Sequence, residues 1–144
     1  MNKNLPTKWV RKAIFDAIDG MNVDGFTINC YDTNVTGAEQ PDHYVLVTTQ
    51  TNSTDKNNKC EWFWDSTATL DIVTYYPRPG NPGSRLLADN ITDAVRQYTN
   101  NLVLDTESDL EIFVQTFDVL QNLTMSTDEE NIFRNIVQLT FRIK

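Results

Sequence analysis

Residues 60–76 read CEWFWDSTATLDIVTYY, and their alternation decides the fold. Trp62, Trp64, Ala68, Leu70, Ile72 and Tyr76 fall on one side of an extended chain. Asp65, Thr67, Thr69 and Asp71 fall on the other. Side chains of a strand alternate between two faces, so this pattern marks a strand half-buried in an antiparallel sheet. Just upstream, residues 43–51 (HYVLVTTQT) are rich in β-branched and aromatic side chains and read as a second strand. The polar run 52–58 (NSTDKNN) between them reads as the tip of a long hairpin.

Downstream, residues 77–83 (PRPGNPG) are the strongest break in the chain. A helix over 84–98 follows, with Ser84 as its cap and Leu87, Ile91, Ala94, Val95 and Tyr98 on one face. The last third reads as another long hairpin, with strands over 109–123 and 131–144 and the acidic tip STDEE at 126–130. Phe113, Phe117, Val119 and Leu123 share one apolar stripe; Phe133, Val137, Leu139, Phe141 and Ile143 share the other. Toward the N-terminus, Trp9, Val10, Ala13, Ile14, Ala17 and Ile18 recur at helical spacing and predict a helix over 6–19. Phe15 lies off that stripe, as a partly covered surface aromatic or a subunit contact. A short strand over 26–31 and a polar loop to residue 42 complete the reading.

The order α-β-β-β-α-β-β predicts one α+β domain over 1–144. Its expected architecture is an antiparallel sheet of about five strands with both helices on one face. Seven residues from these stripes, Ile14, Leu70, Ile72, Leu87, Ile91, Val137 and Leu139, are expected to share the core. Strands near fifteen residues reach about 50 Å when extended, so the two hairpins must project, bend or pair with another chain.

The chain has 144 residues and a formal net charge of −8, which disfavours general binding to nucleic acid or to anionic membrane. It contains no run of the ~20 apolar residues a membrane helix needs. No secretory signal is evident, so the expectation is a cytoplasmic chain.

The residues offer little chemistry. His43 beside Asp42 is the one histidine, and it reads as a turn residue at a strand entry, not as the base of a triad. The run 20–25 (GMNVDG) fails as a calcium loop: Gly20 stands where a carboxylate is needed and Tyr31 where a bidentate Glu is needed. It reads as a turn. The 77–83 run lacks both GK[ST] and GxGxxG. Its flanking Arg78 and Arg85 read as ion-pair partners of a neighbouring subunit in preference to an anion site. Cys30 and Cys60 form no CxxC pair and read as reduced thiols in preference to a disulfide. Sequons at Asn34, Asn52, Asn90 and Asn122 follow from heavy Asn/Thr usage. No catalytic residue, cofactor or metal is assigned. The expected contacts are instead with protein: Phe15, the tip residues Asn52, Asp55, Lys56 and Asn57, the arginines Arg78 and Arg85, and the acidic tip Asp128, Glu129 and Glu130.

A helix WVRKAIFDAI, a strand TATLDIVTYY turning through Gly/Pro into RLLADNITDAV, and a final strand NIFRNIVQLTFRI together resemble the tail-terminator and tail-completion proteins of tailed phages. The Asn/Thr-rich composition is also similar to that of structural proteins of crAss-like phages. The resemblance implies a virion protein, assembled in the host cytoplasm, that forms a sixfold or twelvefold ring in the tail or neck. Portal, adaptor or tail proteins would be its neighbours, and DNA would pass through the lumen without being held. Asp65, Asp71, Glu111 and Asp118 are then the expected lumen-facing residues, since carboxylates on the sheet face opposite the helices repel phosphate. The competing reading is a non-viral cytoplasmic module that binds protein or a small ligand.

Overall fold

In the computed structural model, residues 4–32, 43–55, 63–77 and 83–144 are described. Helix α1 spans Thr7–Ile18, followed by β1 (Met21–Val23), β2 (Phe26–Asp32), β3 (His43–Asp55) and β4 (Phe63–Pro77). Helix α2 (Arg85–Tyr98), a 3-10 turn (Thr106–Ser108), β5 (Ile112–Ser126) and β6 (Glu130–Ile143) complete the chain. The strands form one sheet in the order β1-β2-β3-β4-β6-β5.

This corrects the expected five-stranded antiparallel sheet and its element order in two places. The first is β1, which was read as part of a turn. Met21–Val23 pairs antiparallel with Phe26–Ile28 around Asp24 and Gly25, whose φ angles are 52° and 85°. Two consecutive positive φ values suit the tight hairpin turn that Asp-Gly favours, so VDGF carried a hairpin signal. The second is the pairing of β2 with β3, which is parallel, with Cys30 beside Val45. Ile28 and Cys30 alternate as the buried residues of β2. Alternation is the same for parallel and antiparallel neighbours, so it says nothing of strand direction. The sheet is therefore mixed.

Both helices contribute to one core on one face of the sheet. Val10, Ala13, Ile14 and Ile18 of α1 and Leu87, Ile91 and Val95 of α2 meet Val45, Val47, Ala68, Leu70, Ile72, Val137, Leu139, Phe141 and Ile143. All seven residues expected in the core are there. Helix α2 begins where its cap predicts: the Ser84 side chain accepts the Leu86 N–H at 2.9 Å. Phe15 is half-buried and packs against the core margin.

The two long hairpins, β3–β4 and β5–β6, carry most of the sheet. β3 continues through residues expected in its tip, because Asn52 is tied into the fold. Its side chain donates to Thr7 Oγ1 and accepts from Ser66 Oγ, both at 2.6 Å. In β5 the expected apolar stripe is broken. Pairing with β6 shifts between Ile112 and Val114 and again between Val119 and Gln121. Each bulge inserts one residue and reverses the phase beyond it. Phe117 and Val119 thus lie opposite Leu139 and Val137 on the helix side, while Leu123 lies opposite Arg134 on the other side.

Candidate assembly surface

Two exposed regions follow from this architecture: the sheet face away from the helices, and the outer edge of β5. On the far face, strand register aligns Thr51, Thr67, Thr140 and Thr116 in one row across β3, β4, β6 and β5. Thr51 and Thr67 share a hydrogen bond between their hydroxyls. The adjacent row holds Thr49, Thr69, Gln138 and Asp118. An ion pair flanks these rows on each side. Arg142 Nε donates to Asp65 at 3.2 Å. Arg134 Nε donates to both Asp71 oxygens, at 3.2 and 3.1 Å. The Asp71 hydrogen bond is the main reason the Arg134 guanidinium titrates above its ordinary value.

These contacts sort the four expected lumen residues. Asp65 and Asp71 do point away from the helix-covered core, as their phase requires. Asp71, however, is buried: Leu46 and Ile136 occupy the register positions beside it, and only 4% of it is exposed. Its charge is matched within the chain by Arg134, and that of Asp65 by Arg142. Asp118 is exposed on the same face of β5, and Glu111 is exposed just before β5, where its backbone pairs with that of Lys144. Asp118 and Glu111 are therefore the carboxylates of this set that stand in solvent.

The expected contact residues also separate. Arg85 is exposed but engaged within the chain, its Nη2 donating to Thr124 Oγ1 of β5 at 2.7 Å. Asp128 and Glu129 are exposed at a tight turn, where Thr127 Oγ1 accepts the N–H groups of Glu129 and Glu130 at 3.3 and 3.1 Å. Glu130 opens β6 and is half-buried. Lys56, Asn57, Arg78 and the side chain of Asp55 lie outside the described residues, as does Cys60.

The feature that the sequence reading missed is the β5 edge. β5 pairs with β6 on one side, and no strand of the sheet flanks its other side among the described residues. Helix α2 touches it at both ends, through Arg85 and through the Thr99 carbonyl, which accepts from Gln115 Nε2. Between those points Val119 is 50% and Leu120 53% exposed, and Phe113, Val114 and Met125 are also exposed. Asp118 is the only ionisable side chain in the fifteen residues. The available signal was the presence of apolar residues in both phases of this strand, when helices cover only one face of the sheet. Long edge strands of globular proteins usually carry charges or are covered, because open N–H and C=O groups pair with other chains.

Among the described residues, His43 and Cys30 are both buried. The His43 ring lies against Phe26 at 4.9 Å and Tyr76 at 5.4 Å, and its Nδ1 accepts the Tyr75 N–H at 3.4 Å. Burial pushes the Cys30 thiol up to about 12, with the Asp19 and Asp32 carboxylates adding to the shift, so it is a poor nucleophile. Among the described residues no group of three His, Cys, Asp or Glu side chains is placed to hold a metal ion, and no helix is long and apolar enough to cross a membrane. The sequence matches no protein-family model and no curated protein.

Proposed function

We propose that this chain is a structural virion protein, one subunit of an oligomeric ring that closes a phage tail or joins it to the head. It works by packing against copies of itself and against neighbouring ring proteins, and it performs no catalysis. The observation that carries the assembly reading is the β5 edge: fifteen residues, one charge, and apolar side chains in solvent. Such an edge is a liability in a protein that acts alone and an asset in one that assembles. The threonine rows and Asp118 on the far face supply a polar wall past which DNA slides without being held, and the net charge of −8 opposes retention of phosphate.

Two observations test this reading. Electron microscopy of the chain combined with the products of adjacent genes is expected to show rings with an open lumen. The gene is expected to lie among portal, capsid and tail genes. A gene far from any such cluster, together with a chain that forms no ring with any neighbour, overturns the proposal.

A further inference from the structure

The two edges of the sheet are unlike, and that difference limits how copies can join. The β1 edge is short. β1 has only three residues, and beyond it the Cys30 N–H of β2 is capped by Asp19 Oδ1 at 2.9 Å. β5 runs for fifteen residues, and no strand flanks its outer side among the described residues. A sheet with two open edges can continue head to tail from copy to copy. Head-to-tail continuation would set the fifteen residues of β5 against the three of β1, whereas β5 facing β5 pairs two edges of equal length and closes the contact at two chains.

We infer that β5 pairs antiparallel with β5 of a second copy across a twofold axis, and that this closed pair is the form of the free protein in solution. The inference rests on the edge geometry and not on the virion reading. The area suffices: a strand of about 50 Å, with side chains covering a width of ~10 Å, buries roughly 500 Å² per copy. That is ~1,000 Å² in all, the lower range of specific interfaces. Charge favours the same place. Two chains of net charge −8 repel one another, and β5 is a nearly uncharged strip through which they can approach. A register centred on Asp118 would set two carboxylates opposite each other, so the axis lies to one side of that residue. The bulges at Phe113 and Leu120 leave six-residue runs on either side of Leu120 for regular pairing.

The test uses the full chain in two forms. Sedimentation on the order of 10 µM is expected to give twice the chain mass. The double variant Val119→Lys, Leu120→Lys, checked for its native melting transition, is expected to give the single-chain mass. Single cysteines placed in turn along 114–124 of β5, in a Cys60→Ser background, provide the second form. Under mild oxidation a homodimeric disulfide is expected at one or two adjacent positions, where a residue lies within ~5.5 Å of its own copy. If the double variant does not fold, the cysteine scan alone decides. A wild-type chain that sediments as a monomer, a mass that the lysines leave unchanged, or a scan without a homotypic cross-link overturns the inference. Rings that still form with a silent scan would sink this pairing and leave the assembly reading standing; a β5 pair from a gene outside any tail cluster would do the reverse.

Discussion

Asp71 of β4 and Arg134 of β6 meet on the sheet face away from the helices, the guanidinium bonding both carboxylate oxygens, with the Asp71 side chain only 6% exposed and that of Arg134 33% exposed. A carboxylate so placed has exchanged its water for one cation. Arg134→Met leaves that charge without its partner and is expected to lower stability by about 2–4 kcal/mol, toward the range seen when a buried pair is broken. Asp71→Asn keeps the shape, removes the charge and is expected to cost less. Asp71→Lys, harmless if the residue were simply exposed, sets two cations together and is expected to prevent folding at 37 °C. Urea denaturation of the three variants measures the order; equal, small losses would show that the pair is solvent-screened.

The core is tested at Ile91 and Ile72, both wholly buried between α2 and the sheet. Truncation to Ala in a packed interior removes transfer energy and leaves a cavity, at about 2–5 kcal/mol each. Thermal melting should show both losses, and the double variant should fall short of additivity if the two cavities merge.

Gly83 precedes the cap of α2 with φ +69°, and a Cβ there would run into the Tyr76 ring. Gly25 has φ +85° but open space around its Cα. Alanine at Gly25 is expected to cost ~1 kcal/mol, the left-handed penalty alone. Alanine at Gly83 adds a steric clash and is expected to cost ~2–3 kcal/mol. Equal melting temperatures for the two variants would refute the close packing of Tyr76 on the helix entry.

Cys30 predicts an alkaline weakness. Burial is the chief reason its pKa is pushed up from 9.0 to about 12. The folded state therefore holds the proton more tightly than the unfolded chain. The resulting stability is fully present below pH 9 and is lost as pH climbs through 12. At pH 10.5 the loss is about 2 kcal/mol, one and a half units at ~1.4 kcal/mol each. Urea unfolding at pH 7.5 and 10.5 is expected to show a larger drop for the wild type than for Cys30→Ala. Parallel drops would contradict the buried thiol.

The helices, the two long hairpins and the core were legible because each depends on a local period: Ile14 and Ile91 on the helical repeat, Leu70 and Val137 on alternation. What local pattern could not supply is relational. The parallel partnership of Cys30 with Val45 depends on how the chain travels between β2 and β3, and the β5 bulges depend on β6 as well as on β5. Val119 reads as core because its phase is apolar. It is exposed because α2 packs mainly over β4 and β6, while its hydrogen bonds to β5 come from its two ends, at Arg85 and Thr99. Of the candidate surface, Asp118 was singled out from sequence, while Val119, Leu120 and Met125 were not recognised as a contact edge.

Asp118 and Asp65 separate two explanations of the acidic far face. Asp65 lies 3.2 Å from Arg142, whereas Asp118 stands in solvent beside Gln138. If the face exists only to hold the sheet together, Asp65→Lys disturbs it by opposing Arg142, at about 1 kcal/mol, and Asp118→Lys does nothing measurable. If the face lines a channel, Asp118→Lys acquires a second effect that folding cannot explain. One lysine per subunit, repeated around a ring, places a circle of cations against passing phosphates. Virions carrying Asp118→Lys are then expected to eject DNA more slowly, with the delay growing as salt is lowered, because screening lengthens to about 30 Å at 0.01 M. Asp118→Asn, which removes the charge without reversing it, is expected to delay ejection far less. The ejection rate of the two variants at low and at physiological salt is the measurement. A lysine variant that assembles and ejects at the wild-type rate in both would remove Asp118 from any channel wall.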